Sequence, residues 1–343
     1  MVVDFNNLEI NNLHSQTEFD KKVIFFLEEL LSDSEVVKVQ TSGSTGNPKT
    51  FEIEKKKMLN SAKMTCDFLK LKENNTALLC LPTEYISGKM MIVRSFDRKL
   101  KLIVTNSSLK PLENLDSEID FCAMTPLQVE NSLDKIHFIK NLIIGGAAVS
   151  ESLKTKINQS LNGLNSKNHI FETYGMSETL SHIALKEIYP KSDDYFTVFE
   201  NVSISKDERG CLKIFAQDLN SELLQTNDLV EIKENNQFRF LARIDNVINS
   251  GGAKIFPEEL EALAKKEITN EIVFLGLKDE SLGQKLIAVI EGERSDALFR
   301  KISEIKFEKS FHKPKEIIFV AAIPRTPNGK VNRLELMKYL KRK

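Results

Sequence analysis

The sequence predicts an α/β protein with a large, mostly parallel sheet, a small antiparallel β unit and a compact α+β lobe at its C-terminal end. Three observations lead there. Between residues 77 and 175, short apolar runs alternate with amphipathic helical segments, the rhythm of strands joined by helical crossovers. From residue 197 the helical periodicity stops and short strands follow one another across turns. Past Arg243 helices and strands alternate again over about a hundred residues, the size of a separate lobe.

In chain order, residues 17–32 form an amphipathic helix with Val23, Phe26, Leu27 and Leu30 on one face. Strands at residues 36–40 and 50–53 bracket a polar stretch, and residues 54–71 make a second helix with Met58, Ala62, Cys66 and Leu69 near helical spacing. Then come a buried strand at 77–81, a helix at 87–96, strands at 101–105 and 119–124, and a helix after Pro126. A strand at 141–144 closes on the glycines at 145 and 146, a helix covers 151–158, and a strand at 170–174 closes on Gly175. Ligands of such sheets sit beyond the C-terminal strand ends, where both glycine segments fall. The β unit comprises strands at 198–204, 212–216, 229–233 and 237–241. In the lobe, helices at 257–266 and 297–306 accompany strands at 272–277, 285–290 and 316–319.

At 343 residues the chain is too long for one ordinary core. A net charge of −1 creates no overall field for nucleic acid. Residues 301–343 nevertheless carry twelve Lys and Arg against four Glu, a local surplus suited to a polyanion or to a solvated tail. Cys66, Cys80, Cys122 and Cys211 lie far apart, form no CxxC pair and do not cluster with histidines. That argues against zinc or a disulfide framework and for a reducing, cytoplasmic setting. No apolar run is long enough for a membrane span, and the first residues lack a signal pattern.

The stretch TSGSTGNPK at 41–49 places the hydroxyls of Ser42, Ser44 and Thr45 among Gly43 and Gly46, with Lys49 behind them. Glycines let backbone N–H groups turn toward an anion, so this is a candidate polyphosphate loop. It is not a Walker A loop: Pro48 occupies the second glycine position and offers no N–H, and a strand rather than a helix follows. YGMSET at 174–179 puts Ser177 and Glu178 just after a strand, where Glu178 is a candidate Mg²⁺ ligand or a helix N-terminal glutamate. Asp228, in what reads as a polar turn, is a candidate for chelating ribose hydroxyls or an ordinary Asx turn. Ser250, Gly251 and Gly252 precede a helix opened by Pro257. Lys330 sits on a Pro- and Gly-containing loop near the end.

Taken together, TSGSTGNPK, YGMSET, the aspartate of TND at 226–228, RIDNVINSGGAKIFPEELE at 243–261 and PRTPNGK at 324–330 resemble, in order, the motifs of the adenylate-forming superfamily of acyl-CoA synthetases, adenylation domains and luciferases. The resemblance covers residue 38 to the C-terminus. It implies an N-terminal AMP-binding domain at 1–244 and a mobile lobe at 245–343, hinged at Asp245. It implies that Thr41, Ser42, Gly43, Ser44, Thr45, Gly46 and Lys49 hold the ATP phosphates. Ser177 would meet the α-phosphate, and Glu178, with Thr45, would bind Mg²⁺. Gly145, Gly146, Ala147, Glu172, Thr173 and Tyr174 would frame adenine, while Asp228 and Arg243 hold ribose. Lys330 would serve adenylation, and Ser250, Gly251, Gly252 and Lys254 would then face coenzyme A. Two departures stand out: Asn227 replaces the usual glycine of Thr-Gly-Asp, and the region before the phosphate loop is short. A homodimer is one way in which the short region before the phosphate loop would be compensated.

LPTEYISGKMMIVR at 81–94 resembles the family's segment beside the acyl site, with Tyr85 at the usual histidine and Ser87 and Gly88 following. Arg94, on an otherwise apolar run, either snorkels from a helix or binds a second carboxylate. With Ser181 after the YGMSET string, it resembles the o-succinylbenzoate–CoA ligases of menaquinone biosynthesis, which implies Met176 and Ser181 as further acyl-site residues. That resemblance implies a diacid substrate with ATP, Mg²⁺ and coenzyme A. Other aryl- or fatty-acyl-CoA synthetases, an adenylation enzyme serving a carrier protein, and a non-catalytic nucleotide binder stay open as alternatives.

Overall fold

The computed structural model describes residues 1–40, 50–164, 167–234, 236–325 and 331–342. The first part of the chain runs β1 (Val2–Asp4), α1 (Glu18–Leu31), β2 (Val36–Gln40), β3 (Thr50–Glu54), α2 (Lys55–Phe68), β4 (Thr76–Leu79), α3 (Ile86–Asp97), β5 (Lys101–Val104), β6 (Ile119–Met124), α4 (Pro126–Glu130), β7 (Ile139–Ile144), α5 (Glu151–Leu161) and β8 (His169–Gly175). Strands β9 (His182–Tyr189), β10 (Phe196–Val198), β11 (Ser203–Lys206), β12 (Cys211–Ala216), β13 (Asn220–Lys233) and β14 (Gln237–Arg243) follow. The last part holds β15 (Ile248–Ser250), β16 (Ala253–Ile255), α6 (Pro257–Ala264), β17 (Ile272–Asp279), β18 (Gly283–Glu291), α7 (Asp296–Glu304), β19 (Glu316–Val320) and α8 (Arg333–Arg342).

Twelve strands form one sheet in the order β1-β5-β4-β6-β7-β8-β9-β10-β14-β13-β12-β11. Its heart, β5-β4-β6-β7-β8, is parallel, and β1 and β9 close that block antiparallel on either side. Strands of the parallel block are apolar on successive residues because both faces are covered. Ala77 and Leu79 face one core with α1, α2 and α3, whereas Leu78 and Cys80 face a second core with α5. Helix α1 begins in a capping box. The Thr17 hydroxyl accepts from Asp20 N at 3.1 Å, and the Asp20 carboxylate accepts from Thr17 N at 3.0 Å. It buries Val23, Phe26, Leu27 and Leu30, the face its periodicity predicts.

Four assignments change. The antiparallel β unit is present but shares the large sheet, because β9, which sequence periodicity did not single out, bridges β8 to β10. Residues 198–204 are not one strand; β10 and β11 are separated by the bend at 199–202, where Asn201 has φ +64°. Residues 226–228 are not a turn but lie within β13, paired to β14. The short strand β1 and the helix α8 are additions.

The second sheet runs β16-β15-β18-β17, with β19 parallel to β18. It has a core on each face, one with α6 and α7 and one with α8. Between β15 and β16, Gly251 and Gly252 have φ +56° and +81°, the pair of left-handed residues that a tight hairpin of this hand requires. Among the described residues no helix is long and apolar enough to cross a membrane.

Candidate active site

The C-terminal end of β8 and the adjoining register of β13 and β14 gather three of the predicted ATP-site residues. Asp228 and Arg243 stand directly opposite one another across the β13–β14 pair. Tyr174 Oη donates to Asp228 Oδ2 at 2.6 Å. Burial, then the adjacent carboxylate, pushes the Tyr174 phenol well above its ordinary value, so it is a fixed donor. The other carboxylate oxygen, Asp228 Oδ1, is buried without a hydrogen-bond donor; Arg243 Nη1 stands 3.6 Å away. A buried carboxylate oxygen without a donor is costly and marks a place where a ligand hydroxyl would fit. Arg243 Nη2 instead donates to Asp245 at 3.0 Å. Asn227, the departure from the family's glycine, donates through Nδ2 to the same Asp245 carboxylate at 3.3 and 3.2 Å. The substitution therefore supplies a tether to the residue expected to act as hinge. Tyr174→Phe removes the donor to Asp228 Oδ2 and should cost about 1–3 kcal/mol of stability. A lowered denaturation midpoint with unchanged secondary structure checks it.

Around this cluster the backbone is closely packed. A Cβ on Gly145 would lie 2.8 Å from Thr173 Oγ1, and Gly146 adopts φ +85°. Glu172 does not project freely. Its Oε1 accepts from Val149 N at 3.0 Å and its Oε2 lies 2.9 Å from Lys186 Nζ, so any contact with a base falls to neighbouring backbone atoms. Gly175 has no room for a Cβ, which would meet His182 Cα and Ser181 O at 2.4 Å. That close crossing turns the chain into the 3-10 turn Ser177–Thr179. The Thr179 hydroxyl holds the turn by accepting from Met176 N at 3.0 Å and donating toward Ser181 O at 2.8 Å. Ser177 and Glu178 are left exposed at its tip.

Arg94 lies on α3 with the opposite character: it is 2% exposed. Its Nη2 donates to Ser181 Oγ at 3.0 Å, its Nε is buried without a partner, and among the described residues no carboxylate pairs with it. Burial lowers its pKa to about 10, so it stays charged at neutral pH. It does not snorkel. Behind Ser181, His182 and Thr65 complete a buried polar cluster that sequence reading missed, since a single His after a Ser gives no periodic signal. Lys89 on the same helix was also missed. It is buried against the Phe26 ring at 4.0 Å and Glu29 at 3.6 Å, and docks α3 on α1.

Of the remaining acyl-site candidates, Tyr85 and Ser87 are exposed near the start of α3, and Met176 is half-buried. Gly88 is not an opening, because the Pro82 carbonyl oxygen occupies its Cβ position at 2.2 Å. Ser250, Gly251, Gly252 and Lys254 belong to the β15–β16 hairpin on the second sheet. Thr41, Ser42, Gly43, Ser44, Thr45, Gly46, Lys49 and Lys330 lie outside the described residues. Among the described residues no group of three or more His, Cys, Asp or Glu side chains is placed to hold a metal. The lone exposed carboxylate of Glu178 fits a Mg²⁺ ion that keeps phosphate and water oxygens, and not a closed protein cage.

The sheet and the glycine-lined strand ends define the class. Residues 27–198 match the AMP-binding enzyme family, and the chain belongs to it. More particularly, it is 25% identical over 322 residues to a 2-succinylbenzoate–CoA ligase of Lactococcus lactis, across 87% of this chain and 70% of that protein. An acyl-CoA synthetase (AMP-forming)/AMP-acid ligase II-like protein from Dyadobacter fermentans has a similar structure, with TM-score 0.67 and 32% identity over 99% of both chains. An O-succinylbenzoate coenzyme A synthetase from Bacillus subtilis, solved with ATP and magnesium, has TM-score 0.71 and 19% identity over 88% of this chain and 69% of that one. At that identity the likeness speaks for the fold.

Proposed function

We propose that this enzyme activates 2-succinylbenzoate with ATP and transfers the acyl group to coenzyme A, in the cytoplasm. The observation that carries the substrate is Arg94, a buried guanidinium with a free Nε and no carboxylate partner among the described residues. A monocarboxylic acid spends its only carboxylate on the reaction and has nothing to offer that charge; a diacid has a second carboxylate for it.

The chemistry balances in two steps. A substrate carboxylate oxygen attacks the α-phosphorus of ATP, a P–O bond forms and pyrophosphate leaves. The coenzyme A thiol then gives up its proton, attacks the acyl carbonyl and displaces AMP. Asp228 Oδ1 accepts from a ribose hydroxyl, with Tyr174 holding the carboxylate in place. Residues 41–49 and Ser177 bind the phosphates. Glu178 with Thr45 would hold Mg²⁺, which would supply neutralisation of phosphate charge. Lys330 stabilises the charge developing on the α-phosphate. Residues 245–343 act as a mobile lobe that turns about Asp245 to exchange Lys330 for the hairpin carrying Ser250, Gly251, Gly252 and Lys254.

An end-point mass assay with ATP, Mg²⁺, coenzyme A and a panel of 2-succinylbenzoate, benzoate and fatty acids tests the reading. The expected products are 2-succinylbenzoyl-CoA and AMP, with Lys330→Ala lowering the rate roughly a hundredfold. Acyl-CoA from another acid alone would overturn the substrate. AMP formation only with a phosphopantetheinyl carrier would overturn the acceptor.

A further inference from the structure

The buried cluster behind Arg94 has a direction that single contacts do not reveal. Thr65 Oγ1 lies 3.2 Å from the Ser61 carbonyl oxygen, which can only accept, so the hydroxyl proton belongs there. Thr65 Oγ1 also lies 3.1 Å from His182 Nε2. With its own proton committed, Thr65 accepts, and Nε2 carries the imidazole proton. Burial, followed by the nearby Arg94 charge, holds the His182 pKa well below its usual range, so the ring is neutral and Nδ1 is bare. Ser181 Oγ, 3.4 Å from Nδ1, therefore donates to it and presents its oxygen lone pairs elsewhere. One of them takes the Arg94 Nη2 proton at 3.0 Å. With the ring neutral, this is the one arrangement in which each of the four contacts has its own proton.

We propose that His182, held as its Nε2–H tautomer by Thr65, is a positioning residue for diacid selectivity: it fixes Ser181 as an acceptor and thereby orients the Arg94 guanidinium toward a ligand carboxylate. The proposal rests on the diacid reading given above. His182 touches no reacting atom. Its contribution is to keep the Ser181 proton away from the guanidinium. Arg94 is then steered by an acceptor on one nitrogen, while its buried Nε has no hydrogen-bond partner among the described residues. The same ring packs edge-on against Phe199 at 5.5 Å.

The test compares 2-succinylbenzoate with two matched keto acids that each keep one of its carboxylates, 4-oxo-4-phenylbutanoate and 2-butanoylbenzoate. For His182→Phe, kcat/KM for the diacid should fall about tenfold, mainly through KM, the size of one hydrogen bond to a charged group. The better of the two monoacids should be unaffected. Thr65→Val should act in the same direction and Thr65→Ser should restore selectivity, which keeps the test available if His182→Phe does not fold. In an Arg94→Ala background, His182→Phe should cause no further loss of selectivity. Equal losses on diacid and monoacid, or unchanged selectivity in both His182→Phe and Thr65→Val, would overturn the positioning role. If the wild type shows no preference for the diacid, or Arg94→Ala leaves its preference intact, the substrate reading itself fails. The His182 outcome is thus separable from it.

Discussion

Arg94→Ala is expected to lower kcat/KM for 2-succinylbenzoate by roughly two to three powers of ten relative to a monoacid. Truncating one partner of a buried, hydrogen-bonded charge pair costs about 3–5 kcal/mol, much of it from stranding the other charge. Here the stranded charge would be the substrate's second carboxylate. ATP binding and adenylation of a monoacid should be largely retained, because Asp228, Tyr174 and Glu178 do not touch Arg94. A uniform collapse on every acid would instead point to a packing role for the arginine.

The same residue makes an opposite prediction for stability. Without a carboxylate partner among the described residues, the charge is a burden on the free protein. Arg94→Met should leave the denaturation midpoint unchanged or raise it. The pH dependence has a defined sign. A cation whose folded pKa is lowered, here from 12.5 to about 10, costs stability below the folded value and is relieved as pH rises through it. Wild type should therefore gain on Arg94→Met as the solution becomes alkaline past about 10. Diacid binding should be lost over that same range.

Much of this arrangement is written in local sequence, and the limits are physical. Helix α1 and strands β2 and β6 were legible because periodicity and caps are local. Strand β9 was not. It is largely apolar without alternation because both of its faces are covered, and such a run is ambiguous by period alone. From the sequence Asp228 reads as a candidate chelating carboxylate in a turn, since Thr226 and Asn227 are turn-favouring residues. Tertiary pairing with Arg243 holds them in β13. The motif strings marked the strand-end residues, yet Asn227 gained meaning only from its hydrogen bonds to Asp245. Thr65 and His182 are 117 residues apart, and no local signal joins them.

Arg333→Met is expected to destabilise the packing around the second sheet by about 1–3 kcal/mol, the cost of leaving a half-buried carboxylate without its cation. Arg333 Nη2 meets both oxygens of Glu261 at 2.8 and 2.6 Å, and Nη1 donates to the Phe274 carbonyl at 3.0 Å. Glu261 Oε1 also accepts from Phe274 N at 2.8 Å, so α8, α6 and β17 meet at one ion pair. Burial nevertheless outweighs Arg333 and raises the Glu261 pKa. For an acid with a raised folded pKa, the linked stability is present below the unfolded value and is lost as pH rises through the folded one. The pair therefore fixes geometry more than it stabilises, and Glu261→Leu combined with Arg333→Met should recover most of the stability that either change loses alone. What the double variant should not recover is adenylation. Arg333 lies three residues after Lys330, and Arg325, on the other side of the 326–330 segment, pairs with Glu271 at 2.8 Å. If the two ion pairs set where Lys330 is delivered, pyrophosphate exchange will stay depressed in the refolded double variant while its denaturation midpoint returns. Recovery of both together would reduce Arg333 to a structural cross-link.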